Sequence, residues 1–192
     1  MHSCSLECAF DLTAIATALP DRYPYLLDSA APGPLGRSNL LLRSDGQHLC
    51  LHGDGSVTGP GDTGGFLSRL DEWYQRERLT EPMETSGPFG GGWFLYLGYE
   101  TAAEIEPVVN FPPASDGFPV AFASRCPAVI HTRPDRPGLL HLQAETQGLL
   151  EEMRVEILNL RAAPDSDLTD LSELTPDRPQ AFRDAVERIH EY

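Results

Sequence analysis

Apolar positions recur along this chain at two spacings, one of about 3.6 residues and one of 2. Helical spacing comes first at residues 11–19, where Leu12, Ile15, Ala16 and Leu19 share a face. Asp11 stands at the capping position and Pro20 closes the segment. Phe66–Glu77 repeats the pattern with Phe66, Leu67, Leu70, Trp73 and Tyr74. A third helix is predicted over residues 147–160, with Leu149, Leu150, Met153, Ile157 and Leu160 on its apolar side. A fourth is predicted over 176–192, where Phe182, Ala185, Val186 and Ile189 align. Such a helix needs a partner surface to be stable.

The remaining apolar runs are short and bounded by turn residues, as strands are. They fall at 25–29, 40–42, 47–52, 93–100, 119–125, 129–133 and 139–145. Asp45-Gly46 is a hairpin signal that predicts 47–52 as the return strand of 40–42. Asp54-Gly55 turns the chain again, and Asp135-Arg136-Pro137-Gly138 joins the last two strands. Residues 93–100 are apolar on both faces, which predicts a central strand covered on both sides. Residues 101–105 form one helical turn. The polar, acidic stretch 162–175 reads as a linker. It separates a domain over 1–161 from the last helix at 176–192.

Composition sharpens this picture. Gly and Pro supply 17 residues each among 192, which argues against a helical bundle and for short strands joined by turns. A formal net charge of −15 repels phosphate backbones, so no nucleic-acid partner is expected. No window of about 20 apolar residues occurs, so no membrane span is expected. Residues 1–10 show no basic stretch ahead of an apolar one, and no signal peptide is expected there. Cys4, Cys8, Cys50 and Cys126 are irregularly spaced and read as reduced thiols of a cytoplasmic protein.

Three local constellations invite chemistry, and each reads better as structure. Gly90-Gly91-Gly92 precedes a strand rather than a helix and no Lys follows, so it is not a phosphate loop. Its small residues let the backbone pass close to another segment. His48, Cys50 and His52 alternate on one strand face, but alternate side chains stand roughly 6.5–7 Å apart and rarely converge on one ion. Leu49 and Leu51 then face the core. Glu151 and Glu152 read as a solvated helix face. No catalytic centre and no metal site is predicted from these residues.

Motif order adds a resemblance. Leu26-Leu27-Asp28-Ser29, followed by Gly36-Arg37-Ser38-Asn39-Leu40-Leu41, resembles a Leu-Leu-Glu-Ser element and its Gly-Arg-Tyr-Ser-like partner. Residues 88–100, Pro-Phe-Gly-Gly-Gly-Trp-Phe-Leu-Tyr-Leu-Gly-Tyr-Glu, resemble a Pro-Phe-x-Gly-Gly-x-x-Gly-Tyr-x-Gly-Tyr-Asp/Glu strand. Asp177-Arg178-Pro179-Gln180-Ala181-Phe182 is similar to a helix that opens a catalytic domain. In this order the three stretches resemble the amino-terminal half of the chorismate-using synthase large subunits, the aminodeoxychorismate and anthranilate synthase component I family.

The resemblance implies an α+β fold of antiparallel sheets packed as a sandwich with flanking helices. It implies that 176–192 is the first helix of a catalytic domain that lies beyond this sequence. Chorismate chemistry, Mg2+ and the acid–base residues would belong to that domain, with a glutamine amidotransferase as partner subunit. This portion alone is then inactive and holds no cofactor. The resemblance also implies a tryptophan pocket between the sheets, lined by Ser29, Gly36, Arg37, Ser38 and Asn39. Asp28 stands where the family has Glu, and Ser38-Asn39 replace an aromatic-containing stretch. These departures favour the aminodeoxychorismate branch, which feeds folate synthesis, over tryptophan-regulated anthranilate synthase. A stand-alone binding module is the reading from another class.

Overall fold

Asp11 accepts a hydrogen bond from the Ala14 amide at 2.7 Å, so α1 (Leu12–Ala18) begins where its cap predicts. This computed structural model describes residues 1–29, 38–79, 87–106, 108, 117–133, 135–160 and 179–190. In chain order the elements are β1 (His2–Glu7), α1, β2 (Tyr25–Leu27), β3 (Asn39–Arg43), β4 (His48–Leu51) and β5 (Val57–Thr58). There follow α2 (Phe66–Glu77), β6 (Gly92–Leu97), a 3-10 helix over Tyr99–Glu104, β7 (Ala121–Cys126) and β8 (Ala128–Thr132). Then come β9 (Leu139–Ala144), α3 (Gln147–Leu158) and α4 (Pro179–His190). The linker expected at 162–175 lies outside the described residues. Among the described residues no helix is long and apolar enough to cross a membrane.

The strands form a five-stranded sheet ordered β1-β9-β8-β3-β2 and a four-stranded sheet ordered β5-β4-β7-β6. Every pairing is antiparallel, so the expected α+β sandwich with flanking helices is the architecture found. Alternation distributes the core. Leu41, Ile130, Leu140 and Leu142 face α1 and α3, packing on Ile15, Leu150 and Met153. Leu42, Val129 and Cys126 point the other way, into the space between the sheets. There Tyr25 stacks on Phe94 with ring centroids 4.1 Å apart, and Phe94 continues to Phe122 at 6.0 Å. Leu49, Leu51, Ala121 and Ala123 form the outer layer under Phe66 and Trp73 of α2.

Four features differ from the sequence reading. Asp45-Gly46 does turn the chain, with Gly46 at φ 86°, but β3 and β4 do not pair. β3 pairs with β2 and β8, and β4 with β5 and β7. The turn carries the chain from one sheet to the other beside Pro127, where β7 passes into β8. The two crossings are tied by Asp45 N–H to the Arg125 carbonyl at 3.2 Å, Arg125 N–H to the Gln47 carbonyl at 3.1 Å, and Ser44 Oγ to Ser124 Oγ at 3.1 Å. Second, β1 is an edge strand that the pattern did not reveal, since only Cys4 and Leu6 alternate toward the core.

Third, β6 lies at the edge of its sheet instead of its centre, and Leu95, Tyr96 and Leu97 are exposed. Its apolar character therefore does not come from cover within the described fold. Fourth, Glu152 is not merely solvated. It accepts from Arg22 at 2.6 Å and from the buried Arg43 at 2.7 Å, joining α3 to β3. Gly91 behaves as expected of a close approach: at φ 83° a Cβ would collide with Glu145 Oε1.

Candidate functional site

The sheet order brings three segments distant in sequence to one end of the five-stranded sheet. These are the start of α1, the β2 exit with the β3 entry, and the β8–β9 hairpin. The amide of Ser29 donates to Asn39 Oδ1 at 3.0 Å, pinning the β2 exit to the first residue of β3. Asn39 is in register with Thr132 of β8. On the far side Cys8 N–H donates to the Gly138 carbonyl at 3.0 Å, holding the approach to α1 against the hairpin turn. Between these ties lies a cavity of about 390 Å³.

Its floor is apolar: Leu12, Leu26 and Leu140, all part of the core between the sheet and α1. Its rim is polar: Asp28, Ser29 and Asn39 on one side, Thr132 and Arg133 on the other. Asp28 offers a carboxylate and Arg133 a guanidinium. Arg133 is chelated by Asp135 through Nε at 3.0 Å and Nη2 at 3.1 Å, which holds its planar fork in place. The rim thus offers a carboxylate acceptor and the Arg133 N–H groups that Asp135 leaves free, above an apolar floor.

Of the expected pocket residues, Ser29 and Asn39 meet at this cavity. Ser38 adjoins them in sequence but is not among its lining residues, and Gly36 and Arg37 lie outside the described residues. This cavity opens on the α1 side of the sheet; between the sheets stand the partly buried rings of Tyr25, Phe94 and Phe122, stacked or tilted on one another. Sequence reading did not find Thr132, Arg133, Pro137 and Gly138. The hairpin that bears them was legible, but nothing local places it beside residue 28.

Two further groups among the described residues contain histidine. On the opposite face of the five-stranded sheet the imidazoles of His131 and His141 stack with centroids 4.9 Å apart. Burial, then the charges of His141 and Arg133, hold His131 down to about 4. On β4, Cys50 Sγ stands 3.8 Å from His52 Nδ1, and His52 Nε2 lies 2.9 Å from Thr58 Oγ1. Leu49 and Leu51 are buried beneath them as expected.

No family model and no curated protein matches the chain. Among solved structures it is similar to the crystal structure of anthranilate synthase component I from Streptococcus pneumoniae TIGR4. The likeness has a TM-score of 0.53 at 17% identity and covers 85% of this chain and 40% of that one. The fold is of the anthranilate synthase component I amino-terminal domain type. The chain thus spans well under half the length of the solved chain it matches.

Proposed function

We propose that this chain is the non-catalytic amino-terminal part of a chorismate-using synthase. Its parent joins chorismate to ammonia delivered by a glutamine amidotransferase subunit in the cytoplasm, with Mg2+ bound in the catalytic domain. The observation that carries this reading is the fold likeness to anthranilate synthase component I. It agrees with three motifs in the same order, which fall on the β2–β3 region, β6 and α4. The replacement of an aromatic-containing stretch by Ser38-Asn39 supports the aminodeoxychorismate branch, with 4-amino-4-deoxychorismate as product. Within this reading the cavity beside Ser29 and Asn39 receives tryptophan or a similar amino acid. Asp28 takes its ammonium, Arg133 its carboxylate, and Leu12, Leu26 and Leu140 face its side chain.

The test is to express the whole open reading frame and supply chorismate, ammonium and Mg2+. 4-Amino-4-deoxychorismate is the expected product, and residues 1–192 alone are expected to form none. Absence of any chorismate consumption by the whole frame overturns the reading. The name of the matched structure favours a second reading, anthranilate synthase. Anthranilate as product, with inhibition by micromolar tryptophan, would select it.

A further inference from the structure

Cys50 and His52 are alternate residues, and extended spacing alone would hold their side chains roughly 6.5–7 Å apart. The tertiary structure closes that gap. β4 ends at Leu51, and His52 opens the turn to β5. Its N–H donates to the Ser56 carbonyl and its carbonyl accepts from the Gly55 N–H, each at 2.9 Å. The chain leaves its extended path there, and His52 Nδ1 stands 3.8 Å from Cys50 Sγ.

Both ends of this arrangement are held. Cys50 lies in a strand paired on both sides, opposite Thr58 of β5 and Phe122 of β7. His52 Nε2 lies 2.9 Å from Thr58 Oγ1. With Nε2 carrying the ring proton and donating it to that hydroxyl, the Nδ1 lone pair faces Sγ. A metal-bound imidazole is oriented in the same way, by a hydrogen bond from its outer nitrogen. The spacing suits a shared ion: with bonds of about 2.3 Å to sulfur and about 2.0–2.1 Å to nitrogen, a separation of 3.8 Å subtends about 120° at the metal. A nucleophilic thiol is the competing use of a Cys–His pair. Burial pushes the Cys50 thiol up from its ordinary value, the opposite of what an activated nucleophile needs. A metal instead displaces the thiol proton as it binds.

We propose that Cys50 and His52, with Thr58 orienting the ring, bind a thiophilic divalent cation of the zinc class at the β4–β5 turn. Among the described residues no group of three or more His, Cys, Asp or Glu is placed to hold an ion. The other coordination positions therefore fall to water or to an added ligand, and the site is open rather than closed. Cys50 and His52 are both partly exposed, which gives the ion a path from solvent, and a net charge of −15 draws cations to the surface. The site goes beyond the chorismate reading and does not depend on it.

Cobalt(II) enters zinc sites and reports a thiolate bond through a charge-transfer band in the near ultraviolet. It is titrated into the product of the whole open reading frame. A band is expected, and Cys50→Ser is expected to remove it, while Cys4→Ser leaves it in place. His52→Gln is expected to raise the half-saturating cobalt concentration by roughly tenfold or more. Thr58→Val, which keeps the shape and removes the hydroxyl, is expected to raise it by a smaller factor. Absence of the band, or a band that survives Cys50→Ser, overturns the proposal. So does an unchanged half-saturation in His52→Gln, which would reduce Cys50 to a thiol binding metal alone. A second measurement uses no variant. Saturating zinc is expected to slow alkylation of Cys50 by iodoacetamide by roughly tenfold or more, located by peptide mass mapping. An unchanged alkylation rate overturns the site.

Discussion

Arg125 and Glu145 form a buried clamp between the two sheets: Nη2 of Arg125 reaches both Glu145 carboxylate oxygens at 2.7 Å. Arg125 belongs to β7 and Glu145 directly follows β9, so each side chain comes from a different sheet. The same guanidinium donates to the Gly92 carbonyl at 2.9 Å and lies 4.6 Å from the centre of the Trp93 ring. Both side chains are nearly inaccessible, at 5% and 14%, so removing one strands the other charge. Arg125→Ala is expected to cost about 3–5 kcal/mol in urea denaturation. Arg125→Met, which keeps much of the volume over Trp93, is expected to cost less than Arg125→Ala; an equal cost would assign the loss wholly to charge.

Gly91 touches the same clamp. Its φ of 83° and the short approach to Glu145 Oε1 leave no room for a side chain. Gly91→Ala is expected to destabilise by about 1–3 kcal/mol through backbone strain and displacement of Glu145. Because both changes act on one ion pair, the double variant Gly91→Ala with Arg125→Ala should lose less than the sum of the singles. Full additivity in a double-mutant cycle would show that Gly91 does not act through Glu145.

Glu104 links the 3-10 helix to α2. Its two oxygens accept from the Phe66 and Leu67 amides at 2.6 and 2.8 Å, where Gly65 can supply no side-chain cap. Negative charge at a helix amino terminus is favourable as well. Glu104→Ala is expected to lower stability by about 1–2 kcal/mol, with Glu104→Gln retaining part of it. Thermal unfolding followed by circular dichroism measures both.

Acid should weaken the fold through His131. Its folded value of about 4 lies below the ordinary 6.5, so the folded state binds the proton less readily than the unfolded chain. The stability that the neutral ring contributes is complete above pH 6.5 and is lost as pH falls toward 4. The loss is on the order of 3 kcal/mol once both states are protonated. His131→Leu is expected to flatten the stability profile between pH 6.5 and 4 relative to the parent chain. An unchanged slope would remove His131 as its source.

Binding at the cavity can be read by calorimetry on the whole open reading frame with tryptophan. Asp28→Asn and Arg133→Gln are each expected to weaken affinity by about tenfold or more, the worth of one charged hydrogen bond. Ser38→Ala, next in sequence to Asn39 but away from the lining, is expected to change it little. The reverse order of effects would place the ligand elsewhere.

By itself the sequence determined the local elements. Asp11 caps α1 through a bond to the amide three residues on, a signal within one turn of the helix it starts; Thr146 caps α3 in the same way, though the pattern did not single it out. The turns at Gly46, Gly55 and Gly138 all have positive φ and were equally legible, as were the spacings that define α2 and the β8–β9 hairpin. Only the tertiary structure decided which strands pair. Leu41 opposes Ile130, and Leu49 opposes Ala123, yet alternation fixes a strand's faces and says nothing of its neighbour. Thus the Asp45-Gly46 turn joins two sheets instead of closing a hairpin, and β6 becomes an edge though its composition suits a centre. The cavity follows from the same choice. Asn39 and Arg133 are brought to one rim by the β3–β8 pairing, a contact between segments separated by most of the domain, for which no local signal exists.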